Sequence, residues 1–298
     1  MKIAVASGKG GTGKTSVAVN LAALIADHRL PVPTVFLDCD VEAPNAALFF
    51  NPEIKEKESV DVLFPHIDQS RCDGCGQCVD ICHYHALTVT PKRLVFFPEL
   101  CHSCGGCAMV CPQGAIDEKP HRLGEITSGS IGSMHFMQGE MDIGNSSPVA
   151  IINSMMNRLE QFQHESPTDP ICIIDAPPGV SCPVVASLRK ADFILLVTEP
   201  TPFGLHDLQM AVELVQDEMS LPLAVILNKD GLGNKDVENY CQDQSIPVIQ
   251  RIPFSRKIAE IYARGDLLIQ YDEHIRMGFE KTWSIIQTHF SDANESKG

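Results

Sequence analysis

The first stretch whose residue types and spacing can do chemistry is Gly8-Lys9-Gly10-Gly11-Thr12-Gly13-Lys14-Thr15. Gly8, Gly10 and Gly13 spell GxGxxG, which suits a dinucleotide, but Lys14 and Thr15 complete GxxxxGK followed by Ser or Thr, and this decides the reading. Glycine-permitted backbone N–H groups wrap phosphates there, and the following helix adds its partial positive charge. Lys14 is placed to reach the β- and γ-phosphates and Thr15 to hold Mg²⁺. Lys9 is an extra cation inside the loop, beside two glycines that leave it room. The candidate phosphate contacts run without a gap from Gly8 through Ser16.

The second set is eight cysteines, Cys72-x2-Cys75-x2-Cys78-x3-Cys82 and Cys101-x2-Cys104-x2-Cys107-x3-Cys111-Pro112. This is a duplicated bacterial ferredoxin pattern, in which three closely spaced thiolates take three corners of a cubane and the other run supplies the fourth ligand. Cys72, Cys75, Cys78 and Cys111 are thereby assigned to one 4Fe-4S cluster, and Cys101, Cys104, Cys107 and Cys82 to the other. Zinc held by four thiolates competes with this reading, but it does not require a third, evenly spaced cysteine. His83 stands where many ferredoxins have proline, and His83, His85 and His102 read as neighbours of the ligands rather than ligands. Of the cysteines outside the pattern, Cys172 and Cys39 read as small buried hydrophobes and Cys241 as a helix residue without a role.

These groups need elements to position them. The chain has 298 residues, 44% apolar and 20% charged, room for one core of roughly 200 to 250 residues and a smaller satellite. With 23 basic against 38 acidic residues, its net charge of −15 repels phosphate backbones and anionic lipid, so no nucleic acid is an expected partner. No apolar run approaches the roughly 18 residues that span a bilayer, and Ile3 leads into the glycine loop rather than to a cleavage site. The expected address is the cytoplasm, with no membrane partner.

Compact apolar runs at Ile3 to Ser7, Thr34 to Asp38, Ile171 to Asp175, Phe193 to Thr198, Leu223 to Asn228 and Val248 to Ile252 predict strands buried on both faces. Helical spacing separates them, at Ser16 to Ala26, Pro183 to Lys190, Leu205 to Met219, Lys235 to Gln244 and Arg256 to Arg264. Strand alternating with helix predicts an α/β fold with a doubly wound, mostly parallel sheet. His66 to Glu118 breaks the rhythm and has too little apolar content to fold without metal staples. The expected division is therefore 1–65 and 119–298 for the main domain and 66–118 for a small inserted α+β domain. Glycine-rich His121 to Ser147 reads as extended ribbons, and Ile275, Phe279, Trp283, Ile286 and Phe290 mark a packed helical stripe.

The loop with its early lysine resembles the deviant Walker A motif of the MinD, ParA and nitrogenase iron protein superfamily. The resemblance covers roughly residues 1–51 and 149–298. It implies a P-loop NTPase of SIMIBI type, ATP and Mg²⁺ as cofactors, and a nucleotide sandwich dimer in which Lys9 reaches the partner's phosphates. Asp40 matches the family carboxylate that orients or deprotonates water, which makes Lys9, Lys14 and Asp40 the implied catalytic residues. Asp175-Ala176-Pro177-Pro178-Gly179 is similar to the second switch, where Asp175 would bind Mg²⁺ through water and Gly179 would offer its N–H to the γ-phosphate. Asn228-Lys229 and Pro253-Phe254-Ser255 resemble the corner that holds adenine. Cys182 follows Asp175 at the spacing of a cluster ligand in the nitrogenase iron protein, which implies a metal bridging two copies. That protein's second ligand has no counterpart between Lys119 and Cys172.

With its ferredoxin insert, the chain resembles MinD-superfamily ATPases associated with metal-cofactor or cluster-assembly proteins. The leading expectation is an ATPase that couples closure of a homodimer, or of a heterodimer with a similar paralogue, to electron transfer or cluster handling on a partner. The alternative is a non-redox carrier or scaffold with a metal site near Cys182.

Overall fold

Strands that are apolar at every position can be buried on both faces, and here each feeds two cores. In the computed structural model, which describes residues 1–28, 30–91 and 93–295, Ile3 and Val5 pack with Phe36 and Leu195 on one side. Ala4 and Ala6 pack with Leu37 and Leu196 on the other. The strands are β1 (Lys2–Ala6), β2 (Thr34–Asp38), β3 (Glu53–Ile67), β4 (Leu87–Val89), β5 (Leu94–Phe96), β6 (Ile116–Ile131), β7 (Met134–Met141), β8 (Ile171–Asp175), β9 (Phe193–Thr198), β10 (Leu223–Asp230) and β11 (Val248–Pro253).

One sheet has the order β11-β10-β9-β1-β8-β2-β7-β6-β3, while β4 and β5 form a separate hairpin. Neighbours are parallel from β11 to β7, and the last two pairings are antiparallel. The fold is α/β with a large, mostly parallel sheet, as the alternation of elements predicts.

The helices, in chain order, are α1 (Lys14–Asp27), α2 (Ala47–Phe50), α3 (Gln77–Asp80), α4 (Gly106–Met109), α5 (Pro148–Glu165), α6 (Cys182–Leu188), α7 (Pro202–Val212), α8 (Asp236–Asp243), α9 (Arg256–Ala263), α10 (Leu268–Tyr271) and α11 (Glu273–Glu295). A π-helical turn over Glu213–Glu218 continues α7. The C-terminal stripe is core packing, since Ile275, Phe279, Trp283 and Ile286 are buried on the α1 side of the sheet. Val5 and Asp38 both pair with Asp175 in register, so the loops after β1, β2 and β8 meet at one crevice.

The two longest elements without a counterpart in the sequence reading are β3 and α5. In β3, Glu53 through Ser59 are all exposed at the sheet edge, where charge protects an unpaired strand and leaves no alternation to read. Helix α5 does carry a helical pattern, burying Ile151, Ile152, Met155, Met156 and Leu159. The expected ribbons are the end of β6 and all of β7. Strand β3 pairs with β6 from Glu53 opposite Ser130 to Ile67 opposite Ile116, and the cysteine segment hangs from its far end. Both strands run through residues 65–66 and 118–119 without a break.

Candidate functional site

Helix α1 starts at Lys14 because Gly13 takes a left-handed φ of 93°. Any side chain at Gly13 would collide with the Asn228 amide. The loop borders a cavity of about 110 Å³, together with Asp40, Asn45 and Pro178. Lys14 is buried and donates to Asp175 Oδ1 at 2.5 Å, with Asp40 Oδ2 at 4.0 Å. Asp38 and Asp175 are both fully buried, so three carboxylates surround one ammonium. Burial opposes the charge on Lys14, but Asp175, then Asp40 and Asp38, outweigh it and hold its pKa above the ordinary lysine value. Burial, followed by the Asp175 charge, pushes Asp38 up to about 7. Burial also raises Asp40, against the pull of Lys14.

Asp38 accepts from the N–H groups of Asp40, Asn45 and Ala46 at 3.2, 3.0 and 2.9 Å, and so fixes the loop that presents Asp40. Of the buried side-chain polar atoms that lack partners among the described residues, three belong to this site: Asp175 Oδ2, Thr12 Oγ1 and Asn45 Oδ1. Leaving such an atom unpaired costs about 1–3 kcal/mol. Asn45 lines the cavity, Thr12 belongs to its loop and Asp175 holds Lys14. The two acceptor oxygens, of Asp175 and Asn45, fit a divalent cation with its waters, while the loop N–H groups and Lys14 fit the anionic ligand it would accompany.

The remaining residues singled out in the sequence lie around this cavity, several of them already engaged. Lys9 Nζ is 2.7 Å from Glu199 Oε1 and 3.9 Å from Asp207 Oδ2, held within its own chain. Lys229 Nζ is 2.9 Å from the other Glu199 oxygen and donates to Gly11 O at 2.9 Å. The Gly179 N–H, expected to face a phosphate, donates to Ser7 O at 2.9 Å. Asn228 donates to Thr12 O at 2.7 Å, and with Pro253 it lines an adjoining cavity of about 360 Å³. Ile252, Phe254, Ile258 and Leu268 give that cavity the apolar walls that suit a flat base.

The two cysteine runs fold alike. Each wraps a one-turn helix, α3 or α4, preceded by a left-handed glycine, Gly76 or Gly105. Three residues beyond each run, His85 and Gly114 share a φ of 54°. Ala86 N–H donates to Cys82 Sγ at 3.3 Å, and Ala115 N–H donates to Cys111 Sγ at 3.2 Å. Cys72, Cys75, Cys78 and Cys111 line one cavity; Cys82, Cys101, Cys104 and Cys107 line another. These are the sets assigned from spacing, with the fourth ligand crossed, and four gathered thiols, the crossed one accepting an N–H···S bond in each set, fit a 4Fe-4S cluster. Among the described residues, no group of three or more His, Cys, Asp or Glu converges as a single-ion site. Burial pushes up the thiols of Cys78, Cys101 and Cys107, the last to about 11, so loading them with metal releases protons.

Cys39, Cys172 and Cys241 are buried, and burial pushes Cys172 up to about 12 and Cys241 to about 11, as befits unreactive thiols. Cys182 is exposed at the start of α6. Two site residues escape the sequence reading. Asp38 closes the predicted strand Thr34 to Asp38 and carries no role in the sequence beside Asp40, whereas Glu199 lies 190 residues from Lys9 and leaves no spacing signal.

A phosphate-binding loop between the first strand and helix of a mostly parallel sheet, with carboxylates at adjacent strand ends, defines a P-loop nucleotide-binding protein. The chain belongs to the CobQ/CobB/MinD/ParA nucleotide binding domain family, which matches residues 3–269. It is 34% identical to the uncharacterized protein MJ0578 of Methanocaldococcus jannaschii over 292 residues, covering 96% of this chain and 98% of that one. It is 26% identical to the iron-sulfur cluster carrier protein of Pyrococcus furiosus over 290 residues, covering 91% and 80%. The cell division ATPase MinD of Pyrococcus furiosus shares the fold, with a TM-score of 0.56 at 18% identity over 96% of this chain and 98% of that one. No helix among the described residues is long and apolar enough to cross a membrane.

Proposed function

We propose that this protein is an ATPase that couples ATP binding, hydrolysis and dimer closure to electron transfer, or to metal-cluster handling, on a partner. The observation that carries the reading is the crossed lining of the two cysteine cavities, on a ribbon continuous with the sheet that holds the phosphate loop. Residues 66–118 are the cluster-bearing insert in this reading, and 1–65 with 119–298 form the ATPase. The proposed partners are a second copy or similar paralogue and a redox or cluster-assembly protein.

The chain's own residues carry the hydrolysis. Lys14 exchanges Asp175 for the β- and γ-phosphates, which frees both Asp175 oxygens. Thr15 and, through water, Asp175 would hold Mg²⁺, which would supply positive charge to the phosphate oxygens when bound. Asp40, no longer paired with Lys14, orients the attacking water in line with the γ-phosphate and accepts its proton, a task its raised pKa favours. Lys9 leaves Glu199 for the partner's phosphates, where it stabilises the spreading charge. Gly179 gives up Ser7 to reach the γ-phosphate, so ligand binding moves the loop after β8. Asn228 and Pro253 border the base.

A second reading is a non-redox carrier or scaffold with metal bridging the Cys182 residues of two copies. It is supported by the exposure of Cys182 and by the carrier protein among the relatives. Iron and sulfide counting after anaerobic purification, with EPR, tests both readings. About eight irons per chain are expected for two cubanes of four. About four, or zinc instead, overturns the two-cluster assignment. The carrier reading expects further metal in the ATP-bound dimer, absent from Cys182→Ser.

A further inference from the structure

The phosphate cavity and one of the cysteine cavities are joined by an unbroken run of contacts. Asp40 lines the phosphate cavity, and the carbonyl of the next residue, Val41, accepts from Met141 N–H at 2.8 Å. Met141 ends β7 and opens the loop from Asp142 to Ser147. Asn145 is the hub of that loop. Its N–H donates to Asp142 O at 3.2 Å, and its Nδ2 donates to Arg122 O and Leu123 O of β6 at 3.2 and 3.0 Å. Its Oδ1 meets His121 Nε2 at 3.0 Å.

The His121 ring stacks on Phe64 of β3, with centroids 4.4 Å apart and planes at 10°. Phe64 meets Phe96 of β5 edge-on at 5.5 Å, and Phe96 lines the cavity of Cys82, Cys101, Cys104 and Cys107. A parallel link runs from the same loop, where Ser146 Oγ donates to Glu99 O at 3.1 Å, two residues before Cys101. None of these residues lines the cavity of Cys72, Cys75, Cys78 and Cys111, which the run approaches only through the apolar cluster that Phe96 shares with Cys78.

We infer that Asn145 is a positioning residue that transmits nucleotide binding from the Asp40 loop to the Cys82, Cys101, Cys104 and Cys107 site, and not to the other site. The inference rests on the coupling reading above. A displacement of Val41 moves Met141 with it. Asn145 is bonded on three sides, so the loop shifts as a unit rather than absorbing the movement. Packed rings then pass that shift on, because a close-packed interior rearranges between discrete states instead of deforming smoothly.

The test is an EPR-monitored redox titration of the full, cluster-loaded chain, with and without a non-hydrolysable ATP analogue. It compares the unaltered protein with Asn145→Ala and with His121→Gln, which keeps an amide toward Asn145 but loses the ring on Phe64. Cys104→Ser marks which signal belongs to the responding site. Expected is an analogue-dependent shift of that signal alone, lost in both variants while iron content and analogue affinity are kept. Hydrogen exchange over residues 116–124 of the same cluster-loaded chain gives a readout independent of the cluster signals: the analogue changes protection in the unaltered chain and not in Asn145→Ala. A shift retained in both variants overturns the inference and leaves the proposed function standing. Equal shifts of both clusters overturn the assignment to one site. No shift in the unaltered protein overturns the coupling reading itself, and this inference with it.

Discussion

One ammonium serves three carboxylates at the nucleotide site, and Asp38 carries the consequence. Its folded-state pKa is pushed from 3.8 up to about 7, chiefly by burial and then by Asp175. The native state therefore keeps a proton that the unfolded chain releases. This contribution to stability is fully present below pH 3.8 and is lost as the pH rises through about 7. Nucleotide-free protein should resist urea less at about pH 7.5 than at about pH 5.5, and Asp38→Asn should flatten that slope, since it keeps an acceptor for Asn45 and Ala46 without the charge. An unchanged slope in the variant would remove Asp38 as its source. At this scale, spacing made the phosphate loop and the eight cysteines legible. It could not reveal Glu199 or Asn145, whose partners are brought to them only by the fold.

Among the elements, the ribbon of β3, β6 and β7 joins the two chemistries. It packs on the main domain through Gly139, where an added Cβ would lie 2.6 Å from Met155 Sδ, 2.7 Å from Val41 Cγ1 and 2.9 Å from Ile151 Cγ2. Overpacking of this kind costs about 1–3 kcal/mol. Gly139→Ala should lower the unfolding free energy from urea titration by an amount in that range and, because Val41 follows Asp40, should also slow ATP turnover. Wild-type values for both would mean that this seam yields freely. The parallel strands were readable because burial on both faces demands unbroken apolar runs. Edge strand β3 was not, because Glu53 to Ser59 answers to solvent and to its partner β6 rather than to a core. Helix α5 shows the reverse case, a pattern present in the sequence but overshadowed by the glycine-rich stretch before it.

At the scale of the whole molecule, a single nine-stranded sheet spans both halves of the account. Its parallel part ends in the phosphate crevice, where Lys14, Lys9 and Gly179 are each engaged within the chain and, in the proposed reaction, exchange partners when a triphosphate enters. Its antiparallel edge carries the cysteine cavities. The family assignment and the fold place the nucleotide chemistry, while the crossed cysteine linings supply the case for clusters. The direct measurement is a potentiometric titration of the cluster-loaded protein in three states: nucleotide-free, ATP-bound, and Lys14→Ala with ATP present. Coupling of the two sites predicts a midpoint that moves on ATP binding and a Lys14→Ala midpoint that stays at the nucleotide-free value. Identical midpoints in all three states, with both clusters intact, would contradict it.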